Sequence, residues 1–354
     1  MKQKYFRKII LSYSFLICLL FGQELENLSF GDHHSFDLAT WNIEWFPKNG
    51  QVTVEYVTEI INLLDLDILA IQEIDDVEMF NDMLSDLPTY SGYLDSYWFA
   101  GLGYIYNTET VEVNDFYEIY TTSEYWNSFP RSPMVMDLNF RGQNYLIINN
   151  HFKCCGDGII DYGNNSDEEF RRYMAINLLK DFVDENLAGK NVIILGDLND
   201  DIAEQDPNNV FQDIIDDNEH YFFTDMSTAL GNSSDWSYPS WPSHLDHILV
   251  TNELFNIPNN LEAIVIKVDQ YLEGGWYEYD QNISDHRPVA LKISFGLNQH
   301  YDLNNDGEIN EFDLQSLISF VMNDDGTDEV GDFNFDQKVN IFDILLLTDF
   351  LQNY

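Results

Sequence analysis

Cysteine, proline and basic residues are scarce in this 354-residue chain, and each scarcity excludes something. Three cysteines, Cys18, Cys154 and Cys155, cannot staple a small disulfide-built fold. Cys154 and Cys155 are neighbours, and adjacent Cα atoms lie about 3.8 Å apart, short of the usual disulfide span. A bond between them would be strained, so a vicinal disulfide and two free thiols are both open. Nine prolines are too few for a Pro-rich linker. Lys and Arg number 16 against 62 Asp and Glu, a formal net charge of −46. Such a surface repels polyanions at long range and argues against a basic groove that grips nucleic acid. It does not exclude phosphodiester turnover, because a bound divalent cation inverts the local field.

Long apolar runs are also missing after residue 22. Residues 1–22 read as a secretory signal, with Lys2, Lys4, Arg7 and Lys8 around the start of the apolar stretch Ile9 to Phe21. That stretch is shorter than the roughly 20 residues needed to span a bilayer. Leu20 and Gly22 make a weak cleavage pattern, and Ile17 is too large for a lipid-modified Cys18. The expectation is a secreted or cell-surface protein without a transmembrane anchor.

What is present is core-forming material. Apolar residues make up 45% and aromatics 15%, enough for a large buried interior. Strand-like runs cover Phe36–Phe46, Asp67–Ile74, Tyr97–Tyr106, Met134–Phe140, Asn144–His151, Val192–Leu195, Leu245–Thr251 and Val289–Phe295. Helical spacing covers Val54–Leu64, Glu78–Leu84 and Glu168–Glu185. Strands and helices mix without strict alternation, which suggests an α/β sandwich of two sheets with helices outside. The polar stretches Gly156–Asn165 and Asn232–Pro242 read as loops beside the site.

Short polar motifs sit at strand ends: WNIEWF from Trp41, Gln72-Glu73, Asn149-Asn150-His151, GDLND from Gly196, Leu245-Asp246-His247-Ile248 and Ser284-Asp285-His286-Arg287-Pro288. A carboxylate such as Glu73 suits Mg²⁺ or Mn²⁺, which prefer oxygen ligands. Asn42 and Glu44 share one strand face and can address the same ion. Asp197 and Asn199 also share a face, and Gly196 permits a sharp turn there. His151 and His286, each beside carboxylates, are acid/base candidates. Asp246 is placed to orient His286. Arg131 can fork onto a phosphate, and of Arg171 and Arg172 at least one is structural.

This ordered set resembles the endonuclease/exonuclease/phosphatase superfamily, relatives of pancreatic-type deoxyribonuclease, over roughly residues 36–296. The resemblance implies a four-layer α/β sandwich of two packed mixed sheets flanked by helices, and Mg²⁺-dependent (or Mn²⁺-dependent) phosphoester cleavage. By motif position Asn42 and Glu73 bind metal with Asp285 nearby, and His151 and His286 form the acid/base pair. Asp197 and Asn199 position water and phosphate, with the general base open between Asp197 and His286. The insert Cys154-Cys155-Gly156-Asp157-Gly158 departs from the general pattern.

Composition changes near Gly296, dividing the chain into a signal (1–22), a catalytic unit (23–297) and an acidic tail (298–354). The tail repeats a loop pattern: Asp302, Asn304, Asp306, Glu308, Asn310 and Asp313, then Asp332, Asn334, Asp336, Lys338, Asn340 and Asp343. Oxygen ligands at such spacing suit two Ca²⁺, with backbone carbonyls from Glu308 and Lys338. The tail resembles a type I dockerin. That implies a small all-α calcium-binding domain of two helices and docking to a cohesin-like partner.

The leading reading is a secreted phosphodiesterase cutting DNA or RNA with little sequence preference. Sphingomyelin-like lipids or inositol phosphates are alternatives, for which Tyr271, Trp276 and Tyr277 would supply an exposed aromatic hairpin. A non-catalytic scaffold acting through its tail is the other class.

Overall fold

The computed structural model describes residues 24–32, 35–94, 101–255, 261–294, 301–304, 309–323, 331–333 and 338–353. The signal-like segment 1–22 lies outside them. Among the described residues, two six-stranded mixed sheets make up the larger unit. The first has the order β11 (Leu261–Val265), β12 (Val289–Ser294), β1 (Ser35–Phe46), β2 (Ile68–Ile74), β4 (Gly101–Asn107), β3 (Tyr90–Leu94). The second runs β5 (Val111–Glu118), β6 (Met134–Phe140), β7 (Gln143–His151), β8 (Asn191–Asp197), β10 (Asp246–Thr251), β9 (Tyr221–Phe223).

Each sheet has one parallel pair at its centre, β1–β2 and β7–β8, and antiparallel neighbours elsewhere. A parallel pair needs a crossover. Helix α1 (Gln51–Leu64) supplies it in the first sheet and α3 (Glu168–Asn186) in the second. The short α2 (Val77–Ser85) starts at Asp76, whose carboxylate accepts from the N–H groups of Glu78 and Met79, a helix N-cap.

The central strands are apolar on both faces, and alternation sorts their side chains into layers. Phe36 and Leu38 of β1, with Ile193 and Leu195 of β8, fill the core between the sheets. Ala39, Trp41 and Ile43 point the other way, into a core with Val57, Ile60 and Ile61 of α1. Val192 and Ile194 meet Ala175, Ile176 and Leu179 of α3. Helix, sheet, sheet and helix make the expected four layers. Burying one such aliphatic side chain contributes about 1.5–3 kcal/mol.

Polar groups lock the two sheets in register. Asn149 of β7 donates to the carbonyls of Ile71 (3.0 Å) and Gly103 (2.9 Å) across the sandwich, and accepts from Gln72 at 2.7 Å. The Tyr104 hydroxyl reaches the carbonyls of Met134 and Ile147, both at 2.8 Å. Gln72 and Asn149, motif residues in the sequence, are therefore scaffold.

Some expectations change. The run expected from Tyr97 forms a strand from Gly101, and 95–100 lie outside the described residues. The edge strands β3, β5, β9 and β11 carry no strong apolar pattern and escape a sequence reading. The expected aromatic hairpin is a helix, Gly275–Asn282. Trp276 packs against the first helix–sheet core and beneath Arg287, leaving Tyr277 as an isolated exposed ring.

In the tail, helices Glu311–Asn323 and Ile341–Asn353 share a core of Tyr301, Leu317, Phe333 and Leu347. Asp313 and Asp343 are buried and play matching parts. Asp313 accepts from the N–H of Asn304 (3.2 Å) and Asn310 (2.8 Å); Asp343 accepts from Phe333 and Asn340, both at 2.7 Å. Asp302, Asp332 and Lys338 are also described. Asp306, Glu308, Asn334 and Asp336 lie outside the described residues.

Candidate active site

The carboxyl ends of the two parallel pairs open into one cleft of about 860 Å³. From the first sheet, β1 brings Asn42, β2 brings Glu73, and the turn before β12 brings Asp285 and His286. From the second, β7 brings His151, β8 brings Asp197 and then Asn199, and β10 brings Asp246.

Asp197 is the hub. Its Oδ2 lies 2.9 Å from Asn42 Nδ2, 3.5 Å from His151 Nε2 and 3.8 Å from His286 Nε2. Its Oδ1 accepts the Asn199 N–H at 3.1 Å, while the Asn199 amide donates to the Phe152 carbonyl. Gly196 makes this approach possible. Its φ is +141°, and a Cβ there would lie 2.0 Å from the Asn150 carbonyl oxygen. The expected turn at Gly196 is thus a close strand-to-strand contact inside β8.

Glu73 faces Asp197 across the seam, with Oε1 at 3.2 Å from Asn42 Nδ2 and 3.8 Å from His151 Nε2, and Oε2 accepting the Trp45 N–H. Glu44, Trp45, Glu73 and Asn199 all have positive φ. Held strain of this kind concentrates at functional sites. Glu44 pairs with Lys48 and accepts the Asp285 N–H at 2.8 Å. It braces Asp285, and burial raises its own pKa.

His286 Nδ1 is 2.7 Å from Asp246 Oδ2, the orientation expected from sequence. Its backbone is gripped as well. Ser284 Oγ donates to the Asn42 carbonyl and accepts the His286 N–H, while Trp41 and Tyr279 donate to the His286 carbonyl. Tyr238 lies 4.8 Å from the imidazole, ring centre to ring centre. Neither Ser284 nor Tyr238 was expected. The serine sits inside a noted motif, whereas nothing in the spacing of Tyr238 marks it.

The electrostatics divide the histidines. Burial works against a charged His286, but Asp246 and Asp197 overcome it and push its pKa up to about 10. Burial, then the charges of Arg131 and His286, hold His151 well below its ordinary value, so it is neutral. Burial raises Asp197 to about 7, with Asp246 and Glu73 adding to the rise and His286 and Asn42 opposing it. Burial lowers Arg131, against the pull of Glu73 and Asp197, which puts its charge within reach of the site.

The residues present fit a hard divalent cation. Glu73, Asp285 and Glu44 supply carboxylate oxygens to the cleft, and Asp197, Asp246 and His286 offer ligand atoms that lie within 4.8 Å of one another, with Asp246 Oδ1 buried and lacking a hydrogen-bond partner. Asn42 Oδ1 accepts the Glu44 N–H at 3.0 Å. For Asn42 to ligate through that oxygen, its amide must turn over.

Residues 39–286 match the family model described as Endonuclease/Exonuclease/phosphatase family. The chain belongs to that family. The family is generally dependent on divalent metal, and its members are phosphoester hydrolases. Among solved structures, D. rerio TDP2 complexed with single strand DNA product is 13% identical, with a TM-score of 0.55 over 73% of this chain and 98% of that one. The human Nocturnin catalytic domain with bound sulfate is 16% identical, with a TM-score of 0.53 over 73% and 93%. An endonuclease/exonuclease/phosphatase from Bacteroides vulgatus is 16% identical, with a TM-score of 0.52 over 73% and 98%. At these identities the likeness is one of fold. No curated protein is a significant sequence match.

Other residues near the cleft are structural. Arg287 forks onto Asp269 at 2.7 and 2.8 Å. Arg172 holds Asp200 at 2.8 Å together with two backbone carbonyls. Behind β10, His247 Nδ1 lies 2.6 Å from Asp225 Oδ2, and its Nε2 donates to the Asp200 carbonyl. His244 Nε2 lies 3.0 Å from the same Asp225 oxygen, off the line of a hydrogen bond.

Proposed function

We propose that this chain is a secreted, divalent-metal-dependent phosphodiesterase whose substrate is DNA or RNA. The observation that carries the reading is the convergence on Asp197 of two histidines and Asn42, drawn from both sheets, beside Glu73 and Asp285. Glu73, Asp285 and, with its amide turned, Asn42 would hold Mg²⁺ or Mn²⁺, with Glu44 bracing them. When bound, the cation would polarise the phosphoryl oxygen and stabilise the charge that grows there.

The chain's own groups do the rest. Asp197 accepts the proton of the attacking water, with Asn199 and Asn42 fixing its carboxylate. His286, held charged by Asp246, offers Nε2 as a proton donor to the site. Neutral His151 lines the opposite wall and directs water and phosphate. Arg131 adds positive charge toward a phosphate oxygen. The nucleic-acid assignment takes support from the D. rerio TDP2 structure, which is complexed with single strand DNA product. Signal-directed export and a calcium-loaded, dockerin-like tail that docks a cohesin-like partner complete the proposal.

A second reading has its own observation. The cleft carries exposed Trp45 and Trp241 among many carboxylates, a lining that suits a substrate without a polyanionic chain, such as a sphingomyelin-like lipid. Turnover with Mg²⁺ and with EDTA on plasmid DNA, RNA, sphingomyelin and inositol phosphates decides between them. Metal-dependent cleavage of DNA or RNA is expected, and His151→Ala and His286→Ala each lose most of it. Full activity in both variants would overturn the site.

A further inference from the structure

The Cys154-Cys155 pair follows His151 by three residues and lines the same cleft as Glu73 and Asp197. Both cysteines are exposed and unpaired by any disulfide. Their sulfurs lie 3.0 Å apart, Cys155 donating to Cys154, and Lys153 Nζ approaches Cys154 Sγ at 3.5 Å. Cys155 has a φ of +72°, uncommon outside glycine. The turn is held from behind. Arg172 Nη1 donates to the carbonyls of Lys153 (2.8 Å) and Cys155 (2.7 Å), and its Nε to Asp200 at 2.8 Å. Asp200 directly follows Asn199, whose amide rests on the Phe152 carbonyl, and the Phe152 N–H bonds the Asp197 carbonyl at 2.9 Å. The thiols are therefore tied to the catalytic loop through one buried guanidinium.

We infer that Cys154 and Cys155 are a reversible oxidation site on the rim of the catalytic cleft, which a small-molecule disulfide converts to a vicinal disulfide that lowers turnover. Cys154 Sγ, which accepts from both neighbours, attacks one sulfur of the reagent. The first mixed bond forms and one thiolate leaves. Cys155, whose proton is held by its bond to Cys154 and by partial burial, then loses that proton and attacks Cys154 Sγ, releasing the second thiolate. Two thiols and one disulfide become one intramolecular disulfide and two small thiols. The new ring forces the 154–155 backbone to turn, because adjacent Cα atoms sit closer than a relaxed disulfide allows. Arg172 then loses its paired carbonyls and the Asp197–Asp200 loop slackens. The same strain makes the bond easy to reduce.

The inference goes beyond the phosphodiesterase reading, and its first readout needs no activity. The full chain carrying Cys18→Ser is treated with oxidised glutathione and weighed intact. A loss of two mass units is expected, with neither thiol open to N-ethylmaleimide until dithiothreitol restores both. On a phosphodiester substrate, kcat is expected to fall several-fold on oxidation and recover on reduction. Cys154→Ser and Cys155→Ser keep the reduced level of activity and each take a single glutathione adduct instead. Two independent adducts, or thiols that stay open to alkylation, would overturn the site. A clean disulfide with unchanged kcat would overturn its coupling to the catalytic loop. Absence of turnover in every state, with the disulfide formed, would count against the phosphodiesterase reading alone.

Discussion

Asp246 lies fully buried at the start of β10, with one oxygen on His286 Nδ1 and the other without a hydrogen-bond partner. Such a carboxylate sets the tautomer and the charge of the imidazole it holds. Asp246→Asn keeps the size but offers an amide, and it is expected to lower kcat by about 10²-fold or more with little change in KM. Steady-state kinetics on the best substrate of the panel provide the check; an unchanged kcat would remove Asp246 from the proposed machinery. Much of this residue-level picture was readable in advance. Asn42, Glu73, His151 and Asp197 each sit in or at the end of an apolar strand run and His286 just before one, so their convergence needed only the strands to be aligned. A structural role for one of Arg171 and Arg172 was expected, but the links from Ser284 to Asn42, Tyr238 to His286 and Arg172 to Asp200 were not readable, because they join distant segments with no local spacing between them.

At the scale of elements, β10 is polar at its start on both faces. Asp246 turns toward the cleft, and His247 turns to the back, where Asp225 and the Asp200 carbonyl receive it. Burial and two histidine partners act on Asp225; the histidines win and depress its pKa. His247 is raised despite its burial, by the same carboxylate. A raised histidine contributes stability fully below its unfolded value of about 6.5 and loses it as pH rises through the native value. A depressed aspartate contributes above about 3.9 and loses it as pH falls through its native value. The pair therefore supports the fold most between about pH 4 and 6.5. Removing one buried partner costs about 3–5 kcal/mol, so His247→Gln is expected to melt well below the parent protein at pH 5.5, with a smaller gap at pH 9. A gap that widens with pH would contradict the charged pair. No sequence reading found this cluster: Asp225 and His244 stand on separate loops, and only folding brings them behind the strand.

The whole molecule is a polyanion carrying out chemistry on anions. Glu44, Glu73, Glu169, Asp197, Asp200, Asp201, Glu204 and Asp285 all border the cleft, and Arg172 there is committed to Asp200 and backbone carbonyls. Burial and the neighbours Asp200 and Asp201 push Glu204 up to about 7, a local sign of that crowding. Salt shortens the reach of such repulsion from about 30 Å at 0.01 M to about 8 Å at 0.15 M. The KM for a nucleic-acid substrate is accordingly expected to fall over that range at fixed Mg²⁺. A KM that climbs instead would match a basic, phosphate-gripping groove and contradict the acidic one. Charge, layer order and family were legible in composition and strand-end motifs. The edge strands were not, because a half-exposed strand carries a diluted apolar signal.

The buried bridge from Asn149 to Ile71, Gly103 and Gln72 carries a last consequence. Neither sheet owns a complete set of the proposed reacting groups, so the proposed reaction would take place across a joint. A slip of about 1 Å between the sheets would lengthen several contacts to Asp197 at once, and near-attack geometry tolerates little of that. Turnover is then a gauge of how tightly two rigid plates are bolted, and on gentle heating it should fade while each plate is still intact.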